Sequence, residues 1–402
     1  MAPTTYSKAV VIGSGIAGPV LAMALQEIGI EPEIYEAHHG DGDHAGLFLN
    51  AASNGLDVLR QLGAEREVVE QGWPCPRLQM FSGTGKRLGE VSNGLPPDKG
   101  LGSVLVKRGT LQRALREAAE ARGIAVRYGA RLTALDQDAT GVTAHFDDAT
   151  AARGDLLIGC DGLHSRTRHL IDPGSPTPHY TGMLCFGGFA RGTSLEPTPG
   201  TLNLMFGKRA FFGWLVAGSG EAYWFSNVAS PVEPSRDKLA ATPTEAWQAD
   251  LLELHRGDAS PVEEILSAEQ DAIVAYPLYD MPPVPTWYRG RVAIIGDAAH
   301  ATSPHAGQGA SLAVEDALLL AQCLRDLGDA GRAFARFENL RRKRVEKIVK
   351  FARQMGHNKT ISSKFGLRLR DATLPFILKH FATPEARAWI YTYQVDWGAR
   401  LA

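Results

Sequence analysis

The sequence predicts an α/β fold: a Rossmann-like nucleotide-binding domain, a second, mainly antiparallel β domain that holds a substrate, and C-terminal helices. Three observations predict it. A strand, tight turn, helix and second strand follow one another by Glu36; apolar strands later in the chain can join the same sheet; and an aromatic, β-rich stretch separates them.

Lys8 to Ile12 is a short β-branched run that leads directly into Gly13-Ser14-Gly15-Ile16-Ala17-Gly18. Ile16, Val20, Leu21, Ala24, Leu25 and Ile28 then recur at helical spacing, Gly29 stops that helix, and Glu33 to Glu36 reads as the next strand. Thr110 to Ala121 predicts a helix followed by a strand over Ile124 to Tyr128. Asp155 to Cys160 and Arg291 to Gly296 are apolar enough to be parallel strands buried on both faces. Between about Pro173 and Met281 the segments Met183 to Ala190, Thr201 to Phe206, Phe211 to Val216 and Ala222 to Val228 predict a separate antiparallel sheet. The proline-dense run Pro277 to Pro285 returns the chain to the first domain, and Ala310 to Leu327 and Ala330 to Met355 predict long helices, with a helical tail after them. The expected division is residues 1–72, 102–172 and 282–355 in the nucleotide domain, 73–101 and 173–281 in the β domain, and 356–402 in the C-terminal helical segment.

Composition narrows the partners. At 402 residues, 44% hydrophobic and with a formal charge of −2, the chain is long enough for two cores and has no charge excess that would attract nucleic acid or a membrane. The opening segment lacks a basic stretch followed by an apolar one, so the expected location is cytoplasmic and the expected partner a small molecule. Cys75, Cys160, Cys185 and Cys323 are far apart and form no CxxC, which leaves disulfide scaffolds, structural zinc and dithiol chemistry without support. His38, His39 and His44, and likewise His300 and His305, come with no recognisable ligand set, so no metal is expected. The basic run Arg341 to Arg344 shares its helix with Glu338 and Glu346 and reads as a solvated face.

Three motifs carry chemistry. In the first, Gly13 permits a tight bend, Gly15 lets backbone approach a pyrophosphate, and Gly18 lets the helix pack on the strand, while Glu36 at the end of the next strand can accept hydrogen bonds from ribose hydroxyls. The phosphates then meet a helix N-terminus. The second is Gly159-Cys160-Asp161-Gly162-Leu163-His164-Ser165-Arg166-Thr167-Arg168, an acid-glycine turn after a buried strand, where Asp161 or Ser165 could equally be a helix cap. The third is Gly296-Asp297-Ala298-Ala299-His300 followed by Pro304 and Gly307-Gln308-Gly309-Ala310. There an acid at a strand end can bind a polyol, and backbone amides at a new helix N-terminus suit a partly negative ring.

With these motifs in this order, the chain resembles the class A, single-component FAD-dependent aromatic monooxygenases typified by para-hydroxybenzoate hydroxylase. The resemblance implies that Gly13, Ser14, Gly15, Ala17 and Gly18 cradle the FAD pyrophosphate, that Glu36 binds the adenosine ribose, and that Asp297 binds the ribityl chain. It places Pro304, Gly307, Gly309 and Ala310 beside the isoalloxazine, Arg108 at the phosphates or ribityl, and a backbone contact from Leu132 at the adenine. Asp161 would serve FAD and the nicotinamide cofactor. The family often has Arg directly after the ribose acid; here Ala37-His38-His39 follow. The implied reaction inserts one atom of O2 into an aromatic or polycyclic molecule through a flavin C4a-hydroperoxide, with NADPH or NADH as reductant.

Gly218-Ser219-Gly220 lacks a third glycine and a following helix, so no second dinucleotide domain is expected. Because the cofactor carries the hard chemistry, no side chain is singled out as catalytic base. The expected substrate wall is the aromatic sheet, with Phe186, Phe189, Met205, Phe211, Phe212, Trp214, Tyr223, Trp224 and Phe225 as candidates and the loop Ala45 to Asn50 near the ring. Strand alternation turns about half of the nine away. The alternatives are a flavin-dependent reductase or halogenase on the same scaffold, and a non-catalytic FAD-binding protein.

Overall fold

The computed structural model describes residues 6–39, 47–95, 100–259, 261–357 and 363–401. A six-stranded sheet runs in the order Tyr288–Arg289, Val292–Ile294, Leu156–Gly159, Lys8–Ile12, Glu31–Glu36 and Ala125–Tyr128. All neighbours in it are parallel except the first pair. The apolar runs read from the sequence are its central strands, and Val10, Val11, Leu157 and Ile158 are fully buried because both faces are covered. On one face lie the helices Ala17–Glu27 and Gly309–Leu327, packed on each other. Against the other lies a three-stranded meander of Leu132–Gln137, Val142–Phe146 and Ala151–Gly154, whose Phe146 stacks on Tyr35 at 4.6 Å.

The second large sheet is built from Arg77–Ser82, Arg87–Ser92, His179–Arg191, Thr201–Phe206, Phe211–Val216, Ala222–Ala229, Glu269–Gln270 and Val274–Asp280. It is antiparallel except where Thr201–Phe206 runs parallel to Arg77–Ser82. Between residues 173 and 281 the strands are accompanied by helices that the sequence reading did not place. Helices Arg236–Ala241, Thr244–Leu254 and Val262–Ser267 lie inside that span. They give a weak periodic signal because few positions face the core: the first buries none of its residues and the second only Trp247 and Leu251.

A small sheet of Phe48–Ala51, Trp73–Pro74 and Val104–Lys107 stands between the two large ones. Phe48 meets the rings of Tyr223 and Phe225 at 5.9 Å each, and Asn50 Nδ2 donates to the Gly307 carbonyl at 3.3 Å. The tail forms the helices Ala330–His357, Lys364–Phe381 and Pro384–Tyr391.

Candidate functional site

The three motifs meet at one edge of the parallel sheet. Gly13 follows Lys8–Ile12, Asp161 follows Leu156–Gly159, and Asp297 follows Val292–Ile294, so all stand at carboxyl ends of adjacent strands, where open α/β sheets bind ligands. The spacing between the turns is set by glycine. A Cβ on Gly13, whose φ is +102°, would lie 2.6 Å from the Cys160 carbonyl oxygen, and one on Gly18 would lie 1.9 Å from the Gly13 carbonyl oxygen. Gly15 has room: its nearest neighbour would be Gln112 Nε2 at 3.7 Å, so the outward side of the turn is open to a pyrophosphate. Gly296, at φ +60°, is wedged between Ala17 and Ala313, which brings the third turn onto the first helix.

Hydrogen bonds then lock the second turn to the third. Arg168, fully buried, donates from Nη1 to the Ala298 carbonyl at 2.8 Å and from Nη2 to the Leu163 carbonyl at 2.9 Å. Asp316 Oδ2 accepts from the Gly296 backbone N–H at 2.9 Å and sits 2.6 Å from His300 Nε2, while its Oδ1 accepts from Arg341 Nε at 2.6 Å. Burial raises the Asp316 carboxyl, but His300 and Arg341 outweigh that and hold it well below the usual carboxylate range. Arg341 also donates to Glu315 at 2.6 Å, and Glu315 accepts from Asn54 at 2.6 Å. The reading of Arg341 as part of a solvated face is therefore corrected: its side chain is fully buried, because a guanidinium with two carboxylate partners and a carbonyl can be sealed in the core. The carboxylates and His300 of this cluster were missed as positioning groups, since their partners are distant in sequence.

Asp297 is accessible at its own surface yet surrounded by protein at longer range, which places it on the floor of a cleft. That enclosure raises its carboxyl above the ordinary range, with His300 and Arg108 pulling the other way. Asp161 has a different occupation: Oδ1 accepts from Ser165 Oγ at 2.6 Å, and Oδ2 accepts from the backbone N–H and hydroxyl of Thr167 at 2.9 Å. Ser165 caps the helix Arg166–Ile171 through Arg168 N. Both oxygens of Asp161 accept hydrogen bonds within the turn and helix start, which holds the backbone of this turn in place.

Glu36 accepts from the Ser14 backbone N–H at 2.8 Å and from His38 N at 3.0 Å, so it stands at the mouth of the glycine turn with lone pairs remaining for hydroxyls. Leu132 has its side chain in the core beside Phe146, which leaves its backbone as the contacting part. Arg108, exposed at the start of the helix Arg108–Glu120, is close enough for its charge to act on both Asp297 and Tyr276. Pro304 is exposed, Gly307 has φ +60° and faces Asn50 of the small sheet, and Gly309 and Ala310 open the helix Gly309–Leu327. An open glycine turn, an enclosed carboxylate and a free helix N-terminus fit the pyrophosphate, ribityl and ring of FAD in that order.

The aromatic sheet has two faces, and five of its nine candidates are on the far one. Phe186, Met205, Phe212, Trp214 and Trp224 pack under Trp247, Leu251, Ile265 and Leu266 in an outer core, so their reading as substrate wall is corrected. Phe189, Phe211, Tyr223 and Phe225 belong to the inner face, with Phe48 and Trp73 of the small sheet against them. Here Gly213 makes room for the Phe225 ring and Gly187 for Leu47. Leu47, Met183, Cys185 and Tyr276 extend this face; Tyr276 was missed because Pro277 marked its strand as a loop. Enclosure pushes the Tyr276 phenol well up. A cavity of about 350 Å³ opens between Met183, Thr181, Asp280, Ser303 and His305. Ala45, Gly46 and His44 lie outside the described residues.

One arrangement with the look of a hydrolytic triad is sealed away. Ser226 Oγ lies 3.0 Å from His255 Nε2, and His255 Nδ1 lies 2.9 Å from Asp258 Oδ2, but Ser226 is fully buried under Phe212 and serves to tie helix to sheet.

This geometry defines a flavoprotein of the Rossmann type. The family described as FAD binding domain matches residues 6–352, and the chain belongs to it, in the class A FAD-dependent monooxygenase branch. The chain is 30% identical over 350 residues to the FAD-dependent urate hydroxylase of Klebsiella pneumoniae, covering 86% of this chain and 89% of that protein. It is 31% identical over 400 residues to a 3-amino-4-hydroxybenzoate 2-monooxygenase of Streptomyces platensis, covering 96% and 95%. The crystal structure of Klebsiella pneumoniae HpxO with FAD and uric acid superposes with a TM-score of 0.83 at 28% identity, covering 95% of each chain.

Proposed function

We propose that this chain inserts one oxygen atom from O2 into an aromatic or polycyclic small molecule, using NADPH or NADH to reduce its FAD. The observation that supports this reading most strongly is the juxtaposition of the Gly13, Asp161 and Asp297 turns with one apolar, aromatic sheet face across the small sheet of Phe48–Ala51. Residues 1–72, 102–172 and 282–355 would hold the cofactor, 73–101 and 173–281 the substrate, and 356–402 the C-terminal cover.

FAD, when bound, supplies the hydride acceptance and oxygen activation that no side chain here provides. The Gly13 to Gly18 turn would take the pyrophosphate at the N-terminus of Ala17–Glu27, Glu36 the ribose, Asp297 the ribityl hydroxyls, and the amides of Gly307 to Ala310 the ring edge. Arg108 would place positive charge over the cleft shared by Asp297 and Tyr276. The inner wall of Leu47, Phe48, Phe189, Phe225 and Tyr276 would orient the substrate and exclude water from the reacting groups. Chromatography of the flavin released on denaturation, with a screen of aromatic compounds for those that accelerate NADPH or NADH oxidation, tests the proposal. Release of FMN or no flavin, or absence of any accelerating aromatic, counts against it.

A further inference from the structure

The helix Lys364–Phe381 shows solvent a face that a small-molecule enzyme does not need. Phe365 is 77% exposed, Phe376 60% and Phe381 68%, with Leu369 and Ile377 about half exposed between them. Phe365, Leu369 and Phe376 are spaced by four and seven residues and so share one side of the helix. Arg368 and Lys379, both exposed, flank that side. The single acid of the helix, Asp371, is bonded to Arg370 at 2.7 Å and is turned away from it. The opposite side is seated: Leu378 joins the inner core of the aromatic sheet with Leu204 and Phe206, and Arg370 donates to the Phe206 carbonyl at 3.1 Å.

We infer that this helix docks the enzyme on an anionic lipid surface, its aromatic side entering the headgroup boundary and Arg368 and Lys379 meeting lipid phosphates. No helix among the described residues is long and apolar enough to cross a membrane, and an interfacial helix requires only one apolar side with basic flanks. Charge selects this occupant over a second copy of the chain. An antiparallel pair of these helices crossing between Thr373 and Leu374 would bring Arg368 of one toward Lys379 of the other, and no unpaired acid of the helix is there to compensate. The expectation from composition that no membrane is involved considered the net charge of −2, which conceals a local basic face. Because the seated side covers the inner face of the aromatic sheet, docking would set the proposed substrate region beside the lipid. The docking inference does not depend on the reaction, since vesicle binding is read without turnover.

The test is cosedimentation of the FAD-loaded full chain with vesicles of phosphatidylcholine containing about one-third phosphatidylglycerol, beside vesicles of phosphatidylcholine alone. The anionic vesicles should bind the protein and release it as salt approaches roughly 1 M. Phe376→Ser and the double change Arg368→Glu with Lys379→Glu should each lower the bound fraction about tenfold or more, with flavin content unchanged. If Phe376→Ser loses flavin, the charge variant alone decides. The inference is overturned if the parent does not bind anionic vesicles, if the charge variant binds as the parent does, or if sedimentation velocity shows a dimer that these changes dissociate.

Discussion

Arg168 reaches across from the second acid-glycine turn and donates to the carbonyl of Ala298, the residue directly after Asp297, at 2.8 Å. Two turns separated by more than a hundred residues are thereby held as one surface. Arg168→Met removes that bond and the one to Leu163 and leaves two carbonyls without their donor. Such losses cost about 2–4 kcal/mol together. The expected result is a lower urea midpoint and an FAD dissociation constant raised about tenfold, measured by flavin fluorescence titration.

The different occupations of the two aspartates separate their variants. Asp297→Ala should weaken FAD binding by one to two decades, from the loss of a charge-assisted bond of roughly 1.5–3 kcal/mol to the ribityl chain. Asp161→Ala should instead lower folding stability by about 1–2 kcal/mol through the lost contacts to Ser165 and Thr167, with a smaller change in FAD affinity. Paired titrations and melts of the two proteins check this, and equal FAD affinity in Asp297→Ala and the parent would show that the ribityl is elsewhere.

The faces of the aromatic sheet make a second contrast. Phe225→Ala, on the inner face, should raise the hydrogen peroxide formed per NADPH consumed while FAD content stays normal. Phe186→Ala, on the outer face against Trp247 at 5.0 Å, should cost about 3 kcal/mol of stability and leave that ratio unchanged. Peroxide quantitation alongside nicotinamide oxidation distinguishes them.

Much of this organisation was legible in the sequence because it is local. The glycine turn after Lys8–Ile12, the strands at Leu156–Gly159 and Val292–Ile294, and the helix opened by Gly309 follow from short-range periodicity and glycine placement. What could not be read was long-range. Which face of a strand looks inward depends on what covers the other face, so Phe186 and Phe225 look alike in sequence and lie in different cores. Arg341 looked solvated because Glu315 and Asp316 lie on another helix. Tyr276 was hidden by the neighbouring Pro277, which ends most strands but is accommodated here where the pairing with His179–Arg191 is irregular.

Glu33 gives a pH-dependent prediction away from the cleft. Burial raises its carboxyl, but hydrogen bonds from Lys8, Arg127 and Tyr35 outweigh that and bring it down to about 2 from 4.5. A carboxylate with a depressed folded pKa stabilises fully above its unfolded value and loses that contribution as pH falls through the folded one. Glu33→Gln should therefore be less stable than the parent by about 2 kcal/mol at neutral pH, discounted for the solvent around Lys8 and Arg127. The gap should shrink between pH 4.5 and about 2, followed by urea denaturation across that range.

The central claim, that FAD held in the cleft over Asp297 activates oxygen for transfer to a substrate on the inner aromatic face, is tested most directly by isotopic labelling. A compound that accelerates NADPH or NADH oxidation by the FAD-loaded enzyme is turned over under labelled O2, and the product is analysed by mass spectrometry. The account predicts one labelled oxygen atom in each product molecule and none when the label is supplied as water. A product that is clearly formed from its substrate yet carries no atom from O2 would contradict it.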